Sequence, residues 1–200
     1  MLFSRFLQPA SILLLSAFPL IARAASLATN SAAYIAISGN TMAGVEVPSG
    51  DSRVYYQDSS NGSILEVDIT NAFTVGQYVG SKVIVPSSEV RSNSPIAASV
   101  VLFEGTGYQE LHVFFFSPQN VLSEYYIKNP NPEWTGGPTC TDCLTSEGFV
   151  GLAGNQMLYA MASSATTPPT LRVGFASVGA PNTISEAVNT GNGWSLASLT

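Results

Sequence analysis

Three stretches of the chain carry a basic or imidazole side chain that is followed, in the next strand-like run, by a glutamate. The pairs are Arg53 with Glu66, His112 with Glu124, and Arg172 with Glu186. A guanidinium donates several hydrogen bonds in a fixed fork, whereas a carboxylate accepts them. Such a pair suits a ligand rich in hydroxyl groups, and the repetition indicates binding at several equivalent places. The alternative for an arginine and a glutamate on neighbouring strands is a surface salt bridge that helps to set their register.

These pairs belong to an internal repeat of nearly constant period, whose units begin at Arg53, His112 and Arg172. In each unit a strand-like run begins with the basic residue, a short loop follows, and an apolar-x-Glu run comes next. Units two and three then continue to Trp134 and Trp194. The same polar residues recur at the same places, which favours a true repeat. An ordinary β-sandwich with similar strands is the alternative.

The elements that must position these side chains are short strands, because no segment shows sustained helical periodicity. We predict strands at Tyr34–Ile37, Arg53–Gln57, Ile64–Ile69, Ile96–Phe103, Leu111–Phe116, Leu122–Ile127, Leu158–Ala162, Leu171–Phe175 and Ile184–Val188. Four short strands per repeat of this length are typical of a β-propeller blade. The predicted fold class is therefore all-β, with about three blades of four antiparallel strands, roughly 30–90, 91–147 and 148–200.

One loop carries a strong local signal. Asn61-Gly62 predicts a type I′ hairpin turn, since both central positions of that turn need positive φ. Asn61-Gly62-Ser63 is also the only N-glycosylation sequence of the chain. A hairpin tip would tolerate a glycan, so Asn61 is a candidate glycosylation site.

The repeat resembles the blade pattern of the fungal fucose-specific lectins, in which sugar lies in pockets between the blades of a six-bladed propeller. The resemblance rests on the run Arg53-Val54-Tyr55-Tyr56-Gln57-Asp58, the Ile64-x-Glu66 run, and Trp134-Thr135-Gly136-Gly137. It covers about residues 34–200 as three divergent blades. It implies a lectin that binds fucosylated glycans without catalysis and without a cofactor.

The resemblance also implies which residues line the pockets. The arginine comes from the strand that begins Arg-Val-Tyr, the carboxylate from the next strand, and an aromatic ring forms the apolar wall. The implied sugar-binding set is Arg53, Glu66, Arg172, Glu186, His112, Glu124, Trp134, Trp194, Tyr55 and Phe114. His112 stands where arginine is expected, and Gly174 stands where units one and two have an aromatic residue. The second pocket is therefore expected to be weaker, and the third to lack one wall.

The chemistry fits a deoxy sugar such as fucose. Arginine donates to ring and hydroxyl oxygens, glutamate accepts from hydroxyls, and an aromatic ring covers the apolar face that carries the methyl group. Each charge-assisted bond contributes about 1.5–3 kcal/mol net. One site would then bind at about the micromolar level, and repetition supplies avidity on a glycan-bearing surface.

Two other function classes stay open. A glycoside hydrolase needs two carboxylates that flank one bond, and Asp58, Glu66 and Asp68 lie close together in the sequence. Nothing else marks them as an acid and nucleophile pair, so an enzyme is not expected. A secreted scaffold or effector that has kept the blades and lost the sugar pockets is the other alternative.

The segment 1–24 has the pattern of a secretory signal peptide. Arg5 gives a positive start, Ile12–Ile21 is apolar apart from Ser16 and Pro19, and Ala22-Arg23-Ala24 offers a cleavage site. Cleavage after Ala24 would remove two of the 7 basic side chains and none of the 13 acidic ones, which gives a net charge near −8. We therefore expect a secreted, extracellular protein, with 25–200 as a single domain, that neither binds nucleic acid nor inserts into a membrane.

Cys140 and Cys143 are the only cysteines. In an oxidising compartment their spacing predicts a local disulfide that pins a loop, or two thiols. A zinc site needs more ligands, and the single histidine, His112, is distant in the sequence.

Three blades are half of a six-bladed ring. Either two chains pair to complete a ring as a homo-oligomer, or the chain is a truncated relative.

Overall fold

The computed structural model describes residues 37–103 and 107–200, and within these ranges it contains three four-stranded antiparallel sheets. The first sheet contains β1 Met42–Glu46, β2 Ser52–Gln57, β3 Ile64–Thr70 and β4 Gln77–Val85. The second sheet contains β5 Ala97–Phe103, β6 Gly107–Phe116, β7 Leu122–Lys128 and β8 Asn131–Gly136. The third sheet contains β9 Leu158–Ser163, β10 Thr170–Ser177, β11 Ala180–Asn189 and β12 Trp194–Ser198. The helical elements of the described residues are α1 Ala72–Val75 and two 3-10 turns, Ser87–Glu89 and Leu144–Glu147. The predicted all-β class with three four-stranded units is confirmed.

Each sheet is a meander in which neighbouring strands in the sequence are also neighbours in the sheet. The alternation of side chains along a strand gives each sheet two faces. We call face A the face that carries Tyr55 in the first sheet, Phe114 in the second and Gly174 in the third. Face B is the opposite face of each sheet.

The hydrophobic core lies between the sheets. Face A of the first sheet, with Tyr55 and Ile64, packs on face B of the second, with Val113 and Phe115. Face A of the second sheet packs in the same way on face B of the third, through Phe114, Phe116, Val173 and Phe175. The inner strands also touch, since β5 contacts β1 on one side and β9 on the other. Both interfaces between sheets therefore pair a face A with a face B.

Two strands of the first sheet were not predicted from the sequence. Strand β1 contains Gly44 and strand β4 contains Gly80, and glycine weakens the β signal of a strand interior. The strand predicted at Tyr34–Ile37 lies mostly outside the described residues, and Ile37 is not in a strand. The first described strand of unit one is β1.

The turn predicted at Asn61-Gly62 also differs. Only Gly62 has positive φ, at 83°, and the connection between β2 and β3 is the wider loop 58–63. The Asp58 carboxylate accepts hydrogen bonds from Ser60 N at 2.8 Å and Asn61 Nδ2 at 3.1 Å. This side chain organises the loop, and the type I′ prediction was wrong. Asn61 is exposed, and its glycosylation stays a prediction.

Cys140 and Cys143 form a disulfide in the loop between the second and third sheets. The loop leads into the 3-10 turn Leu144–Glu147, whose first residue is buried in the core between these two sheets. The disulfide thus holds a segment that lies beside the face A side chains of the second sheet. In the part of the chain that the structure describes, no helix is long and apolar enough to cross a bilayer.

Candidate functional site

The strand registers place the three predicted pairs at equivalent positions on face A. Glu66 stands opposite Tyr55, Glu124 opposite Phe114, and Glu186 opposite Gly174. The basic or imidazole residue lies two positions earlier on the strand, so it shares the face and is diagonal to the glutamate. Long side chains can span that diagonal. Whether they do depends on what stands directly opposite.

In the third sheet Arg172 and Glu186 form an ion pair with each other. The Arg172 guanidinium lies 2.5 Å from Glu186 Oε2, and the Arg172 side chain is 45% exposed. Val188 stands opposite Arg172 and offers no competing charge. The guanidinium has five N–H donors, and Glu186 takes one of them in the contacts described. This site therefore combines an anchored carboxylate with an arginine that still has donors to offer.

The same site contains a tyrosine that the sequence analysis did not identify. Tyr159, on β9, donates its hydroxyl hydrogen to Glu186 Oε1. Its ring covers Gly174, where an added Cβ would clash with the Tyr159 ring atoms. Gly174 therefore makes room for an aromatic ring from the neighbouring strand. The aromatic ring that Gly174 cannot provide comes from Tyr159.

In the first sheet Arg53 and Glu66 share face A but each pairs with another residue. Arg53 Nε lies 3.1 Å from Asp68 Oδ1, an ion pair without the alignment of a hydrogen bond. Asp68 stands directly opposite Arg53, and Lys82 stands directly opposite Glu66. Directly opposed side chains are closer than diagonal ones, so each charge takes its nearer partner. Arg53 and Glu66 therefore share face A without pairing with each other, and their role as residues of one sugar pocket stays a prediction.

Glu66 is nevertheless held in the same manner as Glu186. It accepts a hydrogen bond from the Tyr55 hydroxyl at 3.0 Å and pairs with Lys82 Nζ at 3.0 Å. Burial raises the pKa of Glu66, although the Lys82 ammonium works in the opposite direction. Burial and the neighbouring carboxylate raise the pKa of Tyr55, so this hydroxyl keeps its proton and stays a donor.

In the second sheet His112 lies between two carboxylates. His112 Nδ1 is 2.7 Å from Glu124 Oε1, and Nε2 is 3.0 Å from Glu110 Oε2. Glu124 Oε2 accepts the Leu144 N–H at 2.8 Å, and Lys128 pairs with Glu110. His112 and Glu124 are 4% and 2% exposed, so the ring nitrogens are occupied within the protein. His112, Glu110 and Glu124 form a triad. It has no guanidinium with free donors, such as Arg172 provides in the third sheet.

The charge of His112 follows from these contacts. Burial lowers its pKa, but the hydrogen bonds and charges of Glu110 and Glu124 raise it by more, so the net pKa lies above the ordinary value. The hydrogen bond from His112, together with Lys128, lowers the pKa of Glu110 to about 2. An imidazolium between two carboxylates donates at both nitrogens.

We predict that His112 titrates above the ordinary histidine value of 6.5. As the only histidine, it gives one pair of imidazole signals to follow by NMR against pH. A raised folded pKa adds stability that is complete below about 6.5 and is lost as pH rises through the folded pKa. Glu110→Gln removes one carboxylate and should lower the His112 pKa. A midpoint below 6.5 in the unmodified protein would contradict the charged triad.

Aromatic rings from the next sheet lie against these sites. Trp134 on β8 meets Tyr55 edge-to-face, with ring centroids 6.0 Å apart. Trp194 on β12 meets Phe114 in the same way at 6.1 Å. The fourth strand of one sheet thus places a tryptophan over face A of the preceding sheet. Both tryptophans thus lie between two sheets, and their role as sugar-binding residues stays a prediction.

Tyr55 and Phe114 were also expected as pocket walls, and the structure corrects this. Both are 0% exposed and belong to the core between sheets. The adjacent sheet covers the positions directly opposite the glutamates, so their rings cannot face a ligand. Tyr55 acts on the site through its hydroxyl alone.

A cavity of about 230 Å³ lies between the second and third sheets. Its lining includes His112, Glu124, Lys128, Asp142 and Trp194. Asp142 comes from the disulfide loop, so the loop contributes directly to this cleft. In place of an arginine, the cleft offers the exposed Lys128 ammonium and the exposed Asp142 carboxylate.

Comparison with known proteins identifies the fold. No protein-family model and no curated protein sequence matches the chain. Among solved structures, AofleA from Arthrobotrys oligospora matches with a TM-score of 0.62 and 20% identity, over 80% of this chain and 41% of its own. The Aleuria aurantia lectin in complex with Fucα1-6GlcNAc matches with a TM-score of 0.60 and 22% identity, over 80% and 48%.

A third structure differs in its extent. A fucose lectin from Kordia zhangzhouensis, in complex with methyl-fucoside, matches with a TM-score of 0.55 and 17% identity, over 80% of this chain and 99% of its own. The chain spans less than half the length of the two fungal lectins. The Aleuria aurantia lectin has a six-bladed β-propeller fold, and the three sheets correspond to blades of that fold. The predicted propeller-type fold is confirmed.

Proposed function

We propose that this chain is a secreted lectin that binds fucose-type glycans without catalysing a reaction. The observation that carries the proposal is the third-sheet cluster, in which Arg172 and Tyr159 both contact Glu186. The cluster lies on a fold whose solved representatives include complexes with fucosides. The signal-like segment 1–24 and the local disulfide support an extracellular location.

The chemistry of the cluster suits a sugar. The remaining guanidinium donors reach the ring and hydroxyl oxygens, and the carboxylate retains lone pairs for a sugar hydroxyl beyond its two protein partners. The Tyr159 ring offers an apolar edge beside these groups. Because Glu186 is anchored from two sides, little side-chain entropy is lost when a ligand binds.

The test of the proposal is a glycan array probed with the purified protein and with Arg172→Ala. Selective signals on fucosylated glycans are expected from the unmodified protein, and a loss of at least about tenfold from the variant, since two charge-assisted bonds disappear. Arg172→Lys is the matched control for charge. It keeps the cation but loses the fork, so it should restore only part of the signal.

Arg53→Ala reports on the first sheet. Because Arg53 pairs with Asp68, its loss is expected to reduce binding less than the loss of Arg172. Equal binding by Arg172→Ala and the unmodified protein would contradict the assignment of the site. Silence from the folded, unmodified protein would contradict sugar binding and leave a secreted scaffold as the better account.

A further inference from the structure

A second cavity, of about 250 Å³, lies over face B of the second sheet, at the end where β6 passes into β7. One side is formed by Phe115 and Ser123, which stand opposite each other in the strand pair. The other sides come from the connections before β5, between β6 and β7, and after β8. None of the lining residues belongs to the sugar-binding set that the resemblance implies. This cavity is therefore separate from the Arg172–Glu186 cluster.

Among the described residues that line this cavity, Glu89 alone is charged. Its Oε2 accepts a hydrogen bond from the Tyr125 hydroxyl at 2.9 Å. Glu89 forms no ion pair with a described residue. Within the part of the chain that the structure describes, the negative charge of the cavity is therefore unbalanced.

The Glu89 carboxylate is held in place before any ligand arrives. Burial raises the pKa of Tyr125, and the Glu89 carboxylate raises it further, so the hydroxyl keeps its proton and stays a donor. Gly137 lets the backbone pass close to this pair, because an added Cβ would lie 2.5 Å from Glu89 Oε2 and 2.9 Å from the Tyr125 hydroxyl oxygen. The φ of Gly137 is 79°, in the region that favours glycine. A carboxylate fixed in this way loses little entropy on binding.

Two hydroxyl groups of the cavity have a hydrogen to donate. Ser117 Oγ accepts from the backbone N–H of Gln119 at 3.3 Å and of Val121 at 3.1 Å. Thr145 Oγ1 accepts from the Glu124 N–H at 2.9 Å. A hydroxyl oxygen that accepts can still donate its own hydrogen, and neither hydroxyl donates to a described residue. The cavity therefore offers donors for ligand oxygens as well as an acceptor for a cation.

We propose that this cavity binds an amino sugar, with its protonated amine on Glu89 and its hydroxyl oxygens on Ser117 and Thr145. The amine supplies the positive charge that the cavity lacks and donates a charge-assisted hydrogen bond to the carboxylate. A simple alkylammonium ion would leave the two hydroxyl donors without a ligand acceptor. Pro118 and Pro138 add apolar surface for one face of the sugar ring.

The size of the cavity and the charge of the protein agree with this ligand. Pockets that hold drug-sized ligands span about 300–1,000 Å³, so a smaller cavity limits the occupant to about one sugar residue. The net charge of −6 attracts a cationic ligand. The inference goes beyond the proposed function, since it concerns another site and another class of sugar.

Calorimetric titration with glucosamine at about pH 6, where an amine carries its proton, measures this binding. N-acetylglucosamine is the matched ligand without the charge, and butylamine is the amine without hydroxyl groups. Glucosamine should bind at least about tenfold more tightly than either. Equal affinity for N-acetylglucosamine would overturn the role of the charge, and equal affinity for butylamine would overturn the recognition of a sugar. No heat with glucosamine at millimolar concentration would overturn the site.

Glu89→Gln locates the binding. The amide keeps the shape and an acceptor for Tyr125 but removes the charge, so the affinity for glucosamine should fall at least about tenfold. Glu147→Gln is the matched control, because this exposed carboxylate lies at the end of the 3-10 turn Leu144–Glu147 and does not line the cavity. Unchanged affinity in Glu89→Gln, or an equal loss in Glu147→Gln, would contradict the assignment.

Arg172→Ala separates this inference from the proposed function. That variant should retain glucosamine binding, and Glu89→Gln should retain fucoside binding. Loss of glucosamine binding in Arg172→Ala would place the amino sugar at the third sheet and overturn the inference. A protein that binds glucosamine through Glu89 and ignores fucosides refutes the proposed function alone.

Discussion

Glu124→Ala is expected to lower the free energy of unfolding by about 3–5 kcal/mol, the range for breaking one partner of a buried ion pair. The carboxylate is 2% exposed and accepts from His112 Nδ1 and from the Leu144 N–H. Without it, both donors are left buried without that acceptor. Urea unfolding near pH 6, where the imidazolium is favoured, measures the loss.

Two variants control this prediction. Glu133→Ala removes an exposed carboxylate and should change stability by no more than about 0.5 kcal/mol. His112→Ala combined with Glu124→Ala should cost less than the two single changes added together, because His112→Ala removes a donor that Glu124→Ala leaves unpaired. A loss below about 1 kcal/mol for Glu124→Ala would show that the triad contributes little to the fold.

Phe114→Ala is the second large effect, with an expected loss of about 3–5 kcal/mol. Phe114 is 0% exposed, stacks on His112 at 6.0 Å and meets Trp194 edge-to-face at 6.1 Å. Its ring therefore joins the second sheet to the third, and truncation leaves a cavity at that interface. Thermal or urea unfolding reports the loss.

The matched control is Phe73→Ala. Phe73 is 69% exposed on α1, so the same truncation there should change stability by about 0.5 kcal/mol or less. Similar losses at the two positions would contradict the placement of Phe114 in the core between sheets.

The repeat made the architecture predictable. A strand period of 2 and a nearly constant unit length fix which side chains share a face, and in the observed register Arg172 and Glu186 lie on one face. The inner and outer strands of the first sheet were harder to predict. Gly44 and Gly80 interrupt them, and their strand conformation depends on pairing with β2 and β3, which local propensity does not register.

The sequence predicts which side chains share a face of a sheet better than it predicts which of them contact each other. Arg53 and Arg172 occupy equivalent positions, yet Arg53 forms its ion pair with Asp68 and Arg172 forms its ion pair with Glu186. The difference comes from the residue directly opposite, Asp68 in one sheet and Val188 in the other. A motif that lists only the arginine and the glutamate omits that neighbour.

Tyr159 shows a second limit of motif comparison. The contact that Tyr55 makes to Glu66 recurs in the third sheet, but its hydroxyl comes from β9 and not from β10. The residue that could have indicated this contact is Gly174, which stands opposite Tyr159 in the pairing of β10 with β9. A glycine opposite an aromatic residue indicates a ring that folds over it, and this pairing requires the register to be known.

Titration of the unmodified, folded protein with methyl α-L-fucoside by calorimetry tests whether the third-sheet cluster binds the sugar. Saturable heat with a dissociation constant of about micromolar order is expected, since the site supplies a few charge-assisted bonds and one ring. The dissociation constant should rise at least about tenfold in Arg172→Ala, while unfolding of that variant stays close to that of the unmodified protein. No heat from folded protein at millimolar fucoside would contradict the account.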